Sequence, residues 1–506
     1  MNVEPAFEGF QATYDNGTPQ VVWTRLVADL ETPVSAMLKL SAGRSKCFLL
    51  ESVEGGAVRG RYSIIGLSPD LVFRANADDA EVNDKALTDP EAFTPCGEPT
   101  LQALRTLIAQ SRIDLPEGLP PMSAGIFGYL GYDTVRLMED LPVANPDRLG
   151  TPDAILVRPT VVVIFDAVRD EITVVTPVRP KEGVAANAAY SRAIDRLNSV
   201  VDGLDMPLDK STVTEADIEA HTGEPVSNTS PEEYKEMVAR AKEYIKAGDI
   251  FQVVLSQRFE APFSLPPFAL YRALRRVNPA PFLYYLDFDD FAVVGSSPEI
   301  LVRVREGKVT IRPIAGTRPR GETPAEDRRL SEELLADPKE LAEHLMLLDL
   351  GRNDVGRVSK IGTVNVTDRF FLEYYSQVMH IVSNVQGDLD EARDAIDALV
   401  AGFPAGTVSG APKVRAMEII DELEKDKRGI YAGTIGYFSA DGETDTCIVL
   451  RTSIVRDGKM YVQAGAGIVA DSVPESEQAE CVNKAKALFR AAEEAVRFAS
   501  SAGRGQ

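Results

Sequence analysis

Histidine, cysteine and tryptophan are scarce in this 506-residue chain, with three, four and one of each. Three histidines cannot build a histidine-rich metal centre. Cys47, Cys96, Cys447 and Cys481 lie far apart without CxxC spacing. That disfavours a zinc site or a disulfide framework and fits a reducing cytoplasm, where each reads as a small apolar filler. Basic residues are also short, 54 Lys and Arg against 77 Asp and Glu, for a net charge of −23. Such a balance argues against nucleic acid as a partner, because phosphates require basic patches. An anionic small molecule stays within reach only if a metal or a local Arg/Lys cluster reverses the field. No uninterrupted apolar run of about 18 residues exists, so no membrane span is expected. The first residues, Met1 to Pro5, show no basic region leading into an apolar run, and no signal peptide is expected.

What the chain does have is a repeated arrangement of acids. In Pro474-Glu475-Ser476-Glu477-Gln478-Ala479-Glu480, Ser476 offers an N-cap and acidic residues crowd the first turn. At helical spacing Glu477, Glu480 and Lys484 share one face, away from Val482, Ala485 and Phe489. A second copy lies in Asp337-Pro338-Lys339-Glu340-Leu341-Ala342-Glu343-His344, with Asp337 as N-cap, Pro338 at N1 and Glu340 placed to close a capping box. One E-x-x-E reads as a solvated helix face. Two could face each other across a cleft, where four carboxylates would repel unless a cation sat between them. An all-oxygen site of that kind suits Mg²⁺, which leaves room for an anionic substrate.

Along the chain, residues 46–53 and 60–66 read as strands, 100–112 as a helix, 161–165 and 171–175 as a hairpin, and 186–203 as a helix. Asp202 to Thr229 is rich in Asp, Thr, Pro and Ser and lacks aromatics. The expected organisation is an N-terminal domain over 1–205, a linker over 206–229 and a second domain over 230–500. That domain opens on a capping box at Ser230, and its first helix ends at Gly248. Gln252 is the polar exception in an apolar strand and either satisfies a neighbour or faces a cleft. Glu306-Gly307, Asp441-Gly442 and Asp457-Gly458 mark hairpin turns. Arg451 falls in a middle strand of the last meander, where an unpaired guanidinium would be costly, so it is expected to bind a carboxylate.

The glycine loops are ambiguous. Gly406 to Lys413 lacks the Gly-Lys-Ser/Thr ending of a phosphate loop, and Gly465-Ala466-Gly467 is a weak dinucleotide signature. Either is an ordinary turn or a set of amides facing an anion. His380 is a candidate for proton transfer or a satisfied structural histidine. Glu51 and Ser52 hold a ligand's amino group or simply end a strand.

Taken together, Asn278 to Tyr285, Gly295 to Glu299, Pro313 to Gly321, Lys339 to His344, Asp349 to Asp354, Phe403 to Lys413 and Pro474 to Ala487 resemble the chorismate-utilising enzymes. The likeness is strongest to the anthranilate synthase component I group. It is dense over about residues 230–495, and Leu49 to Ser52 and Arg61 to Ser63 extend it toward the N-terminus. The resemblance implies an α+β fold, a two-domain α/β sandwich with large, mainly antiparallel sheets and helices outside. It implies a Mg²⁺-dependent lyase that takes chorismate and ammonia through aminodeoxyisochorismate to anthranilate and pyruvate, the first step of tryptophan biosynthesis. Glu343 and Glu480 would then ligate the metal, with Glu340 and Glu477 as close supports. Glu299 would be the general acid and His380 the elimination-step histidine. Gly316, Thr317, Tyr431, Arg451, Gly465, Gly467, Lys484 and Thr407 would hold the substrate.

Two positions separate the products within the group. Relatives making aminodeoxychorismate carry Lys where this chain has Ala315, and isochorismate synthases carry Lys where it has Gln252. Ala315 cannot attack and Gln252 cannot deprotonate water, which favours ammonia addition at C2. A Mg²⁺-dependent phosphotransferase, the reading from another class, lacks a Walker-type loop here. No cysteine stands in the Gly-x-Cys-x-Gly setting of a glutaminase, so ammonia is expected from a separate glutamine amidotransferase subunit in a hetero-oligomer. Glu51, Ser52, Arg61, Pro281, Phe282, Leu283, Tyr437 and Cys447 match the group's tryptophan feedback pocket. Ala280, Phe282 and Leu283 depart from its usual Ser, Tyr and Met but keep size and apolarity, so inhibition is expected to survive.

Overall fold

A computed structural model describes residues 2–54, 58–142, 145–208, 223–375 and 378–500. Its strands join into one hydrogen-bonded network of 23 among the described residues, with helices packed outside. Strands from the two halves of the chain pair directly at two junctions in it. Phe48–Glu54 pairs antiparallel with Val58–Asn76 on one side and with Phe282–Asp287 on the other, placing Leu283 opposite Glu51. Gly125–Leu130 likewise bridges Ala154–Asp166 and Thr434–Ser439. The expected linker over 206–229 falls mostly outside the described residues; where description resumes, Val226 and Ser227 pair with Glu260 and Phe259.

Alternation along each strand divides the core. Phe48 joins a layer built from strand side chains, with Phe127, Ile164, Tyr284 and Tyr437. Its neighbour Leu49 points the other way, into a cluster with helix residues Leu197, Leu274 and Leu488. Helices from both halves therefore cover one face of the strands they share. A third cluster forms around Leu104, Leu399 and Met417, again with residues from both halves of the chain.

Local signals account for most element ends. The helix Pro231–Ala247 starts on a two-way capping box between Ser230 and Glu233 and stops at Gly248, whose φ is 85°. Glu306-Gly307 and Asp457-Gly458 both have two positive φ values, as a tight hairpin turn between right-twisted strands requires. One expected cap is displaced. The second glutamate helix, Pro474–Ser500, begins two residues before Ser476, because proline is accepted at the first helical position and the amides of Ser476 and Glu477 bond back to Val473.

Candidate active site

The two glutamate helices approach one another. In Pro338–Gly356, Asp337 accepts from the amides of Lys339 and Glu340 at 3.0 and 3.4 Å. Glu340 does not reach back to close the capping box; its carboxylate lies 3.1 Å from Arg318, a stronger, charge-assisted partner. Burial raises the Glu343 carboxyl above the ordinary range, and Glu340 and Glu480 raise it further. Burial also raises Glu477, which feels Glu480 beside it and Lys339 from the facing helix. Glu480 pairs with Lys484 at 2.7 Å, and Lys484 donates to the Gly465 carbonyl at 2.9 Å.

Among the described residues no three acidic, histidine or cysteine side chains form a ready cage for a metal. Glu343 and Glu480 nonetheless fit a hard cation. Mg²⁺ is commonly held by one or two carboxylates, its other positions going to water and substrate. The raised Glu343 carboxyl, crowded by like charges, is the donor chemistry such an ion relieves.

Another buried carboxyl lies on the strand side. Glu299, 6% exposed, follows the strand Ala292–Ser297, and burial pushes its carboxyl up to about 8 although the Thr407 hydroxyl, donating at 3.2 Å, pulls it down. It is therefore protonated at neutral pH. Thr407 is presented to this carboxyl by the short turn Gly406–Val408.

His380 lies in the strand Val378–Asp388 opposite Thr317. The strand Ile314–Pro319 bulges at Gly316, φ 71°, which brings the Gly316 carbonyl to 3.1 Å from His380 Nδ1 and leaves the Thr317 hydroxyl at the same distance. A carbonyl accepts only, so Nδ1 carries the hydrogen and Nε2 keeps its lone pair. Burial holds the ring at about 4, hence neutral.

Gly465 and Gly467 are not in a turn after the meander, as their spacing suggests, but inside its last strand, Lys459–Ile468, which pairs with Gln252–Pro262. Side chains there would collide: a Cβ on Gly465 would meet the Leu255 carbonyl at 2.8 Å and the Tyr431 hydroxyl at 3.0 Å. Gln252 is 3% exposed, and its Oε1 is a buried acceptor with no partner among the described residues. Arg451 also departs from expectation. It lies between two strands, Thr444–Ile448 and Thr452–Arg456, in a left-handed conformation with φ 48°. Burial lowers its pKa, and no carboxylate pairs with its guanidinium among the described residues. This is a desolvated cation with its donors unspent, as an incoming carboxylate requires.

Every residue that the resemblance assigns to tryptophan lines one cavity of about 630 Å³. Two of them are already engaged. Both Glu51 oxygens are taken by Arg275, at 2.6 and 3.0 Å, and Tyr271 adds its hydroxyl. Arg61 grips Asp166 through three bonds of 2.9 to 3.2 Å. Their carboxylate and guanidinium brace the cavity wall, the Ser52 hydroxyl donates to the Tyr62 carbonyl at 3.2 Å, and Pro281 and Phe282 add apolar lining.

One feature of the site has no signal in the sequence. Arg428, in the polar stretch Glu424 to Gly429, reads as a solvated turn, yet it is 2% exposed. Its guanidinium binds both Glu424 oxygens, at 2.9 and 2.6 Å, and the Val408 and Val254 carbonyls, at 2.7 Å each. It stacks over Tyr132 and Tyr431 as well. One cation thus ties together the Thr407 turn, the Gln252 strand and Tyr431.

Comparison with known proteins places the chain in a family. Residues 45–490 match the family described as chorismate binding enzyme. The chain is 57% identical over 502 residues to anthranilate synthase component 1 of Cereibacter sphaeroides, covering 99% of this chain and 100% of the relative. It is 47% identical to the Aquifex aeolicus protein of the same name, over 97% and 98% of the two chains. The crystal structure of anthranilate synthase component I from Streptococcus pneumoniae superimposes with a TM-score of 0.75 at 36% identity, over 92% and 99% of the two chains. By family match, by full-length identity and by fold, the chain belongs to the chorismate binding enzymes.

Proposed function

We propose that the chain is the chorismate-binding lyase of an anthranilate synthase, converting chorismate and ammonia to anthranilate and pyruvate in tryptophan biosynthesis. The observation that carries the reading is Glu299, a buried carboxyl that still holds its proton at neutral pH. Loss of the 4-hydroxyl of chorismate needs such a donor, because hydroxide is a poor leaving group until protonated. The free guanidinium of Arg451 and the backbone around Gly465 and Gly467 hold the substrate carboxylates. Tyr431 and Lys484 flank them. Gln252, with an unspent acceptor, orients ammonia for attack at C2. His380, neutral with Nε2 free, moves the proton released when the ring aromatises and pyruvate leaves. Glu343 and Glu480 would hold Mg²⁺, with Glu340 and Glu477 in support, and the ion when bound would supply positive charge at the ring carboxylate.

Ammonia comes from a separate glutamine amidotransferase in a cytoplasmic hetero-oligomer. In support, Cys47, Cys447 and Cys481 are buried with their pKa values raised, first by burial, so none is a ready thiolate. The cavity beside Ser52 and Phe282 takes tryptophan as a feedback inhibitor.

The test is incubation with chorismate, Mg²⁺ and ammonium at mildly alkaline pH, read by anthranilate fluorescence. Ammonium should support turnover and glutamine, with this chain alone, should not. No fluorescent product in the presence of ammonium would overturn the assignment.

A further inference from the structure

The far wall of the 630 Å³ cavity is made by Arg312, Glu373 and Tyr375. None of these has a role assigned above. The Arg312 guanidinium bonds one Glu373 oxygen, and the Tyr375 hydroxyl donates to the other at 2.5 Å. Glu373 is the register partner of His380 between adjacent strands, and the Tyr375 ring stands 5.6 Å from the imidazole. Tyr375 therefore belongs to two places at once. Its ring lines the cavity and also packs beside the histidine. Among the described residues His380 is hydrogen-bonded only through Nδ1, so ring packing sets where Nε2 points.

We propose that Tyr375 is a positioning residue that couples occupancy of this cavity to the placement of His380. The inference rests on the reading of the cavity as the site of an aromatic amino acid inhibitor. A zwitterion brings one charge of each sign. Whichever charge meets this wall competes for a member of the Arg312–Glu373 pair and so disturbs the acceptor that holds the Tyr375 hydroxyl. The ring then shifts against the imidazole, and the two sites share one bistable element, which is what coupling between sites requires.

The experiment compares Tyr375→Phe with the parent protein, measuring tryptophan binding by titration calorimetry and, separately, inhibition of ammonium-dependent turnover. Phenylalanine keeps the ring and removes the anchor. The expected result is binding within about threefold of the parent with inhibition weakened by at least about tenfold, a separation within the usual range of coupling between sites. Inhibition equal to the parent's would overturn the coupling, and so would a parallel loss of binding, which would make the wall simply part of the pocket. A parent that binds no tryptophan would instead remove the cavity's assignment, and the inference with it. Should Tyr375→Phe melt as an unfolded chain, Arg312→Met carries the same comparison.

Discussion

The amide nitrogen of Gln252 lies 2.6 Å from the point where a Cβ on Gly467 would stand. The strand pair is thus hollowed at Gly467 to admit Gln252, the one polar side chain between Ile250 and Leu255, and the amide's other end is left without a partner among the described residues. A glutamine here accepts a hydrogen bond from ammonia but cannot remove a proton from water. Gln252→Lys should lower anthranilate formation and raise a water-derived product, isochorismate, at high chorismate. Chromatography of the reaction decides it; undetectable isochorismate leaves the role of this position unsupported. Gly467→Ala should lower turnover by displacing the Gln252 amide from its place.

Glu299 predicts a pH dependence with a definite sign. Its carboxyl is raised from 4.5 to about 8, so the folded protein binds this proton more tightly than the unfolded chain does. Its contribution to stability is therefore present below the ordinary value and declines as pH rises toward 8. Activity follows the same direction, since the donor must be protonated: turnover should fall as pH passes about 8. The histidine sets no comparable acid limit until about 4. Glu299→Gln should cut kcat by ~10²–10⁴, the usual worth of general acid catalysis, while chorismate binding changes little. A variant with near-parental kcat would exclude the assigned role.

The facing carboxylates predict a requirement for a divalent cation. Chelation should stop turnover, and added Mg²⁺ should restore it. Glu480→Gln removes a carboxylate from one helix and releases Lys484 from its 2.7 Å pairing. It should abolish activity even with saturating ammonium while leaving tryptophan binding intact, because no residue of that helix lines the cavity beside Ser52 and Phe282 that is proposed to take tryptophan. Near-normal turnover would return the pair to a solvated helix face.

How much of this could be read beforehand depended on whether a signal was local. The cap at Ser230, the stop at Gly248 and the turns at Glu306 and Asp457 are short-range chemistry, and each stands where spacing placed it. Arg451 reads as a middle-strand residue, yet it stands between two strands in a left-handed conformation, because conformation at a strand end is set by the sheets it joins. Ser476 reads as a cap, yet the helix starts at Pro474, because proline suits the first helical position and its ring fixes φ there. Glu51 shows a third kind of limit. Its strand was clear, but Arg275, which engages both its oxygens, lies 224 residues away, and pairing at that range has no periodicity to reveal it.

The same blindness hid the Glu424–Arg428 pair, which carries the last prediction. Both side chains are buried, and together they bond two segments of the candidate site, the Thr407 turn and the Gln252 strand. Desolvating two charges is costly, and the pair recovers this only because every contact is made together. Arg428→Met should then destabilise the protein by about 3–5 kcal/mol, since it leaves a carboxylate buried without its partner. Replacing both residues, as Glu424→Leu with Arg428→Met, should cost much less, because neither charge is then stranded. Turnover separates stability from position. If the pair served stability alone, the double variant would regain activity along with its denaturation midpoint. If it also places the Thr407 turn and the Gln252 strand, the midpoint should recover in denaturant titration while kcat stays depressed, and the geometry of its four acceptors favours the second outcome.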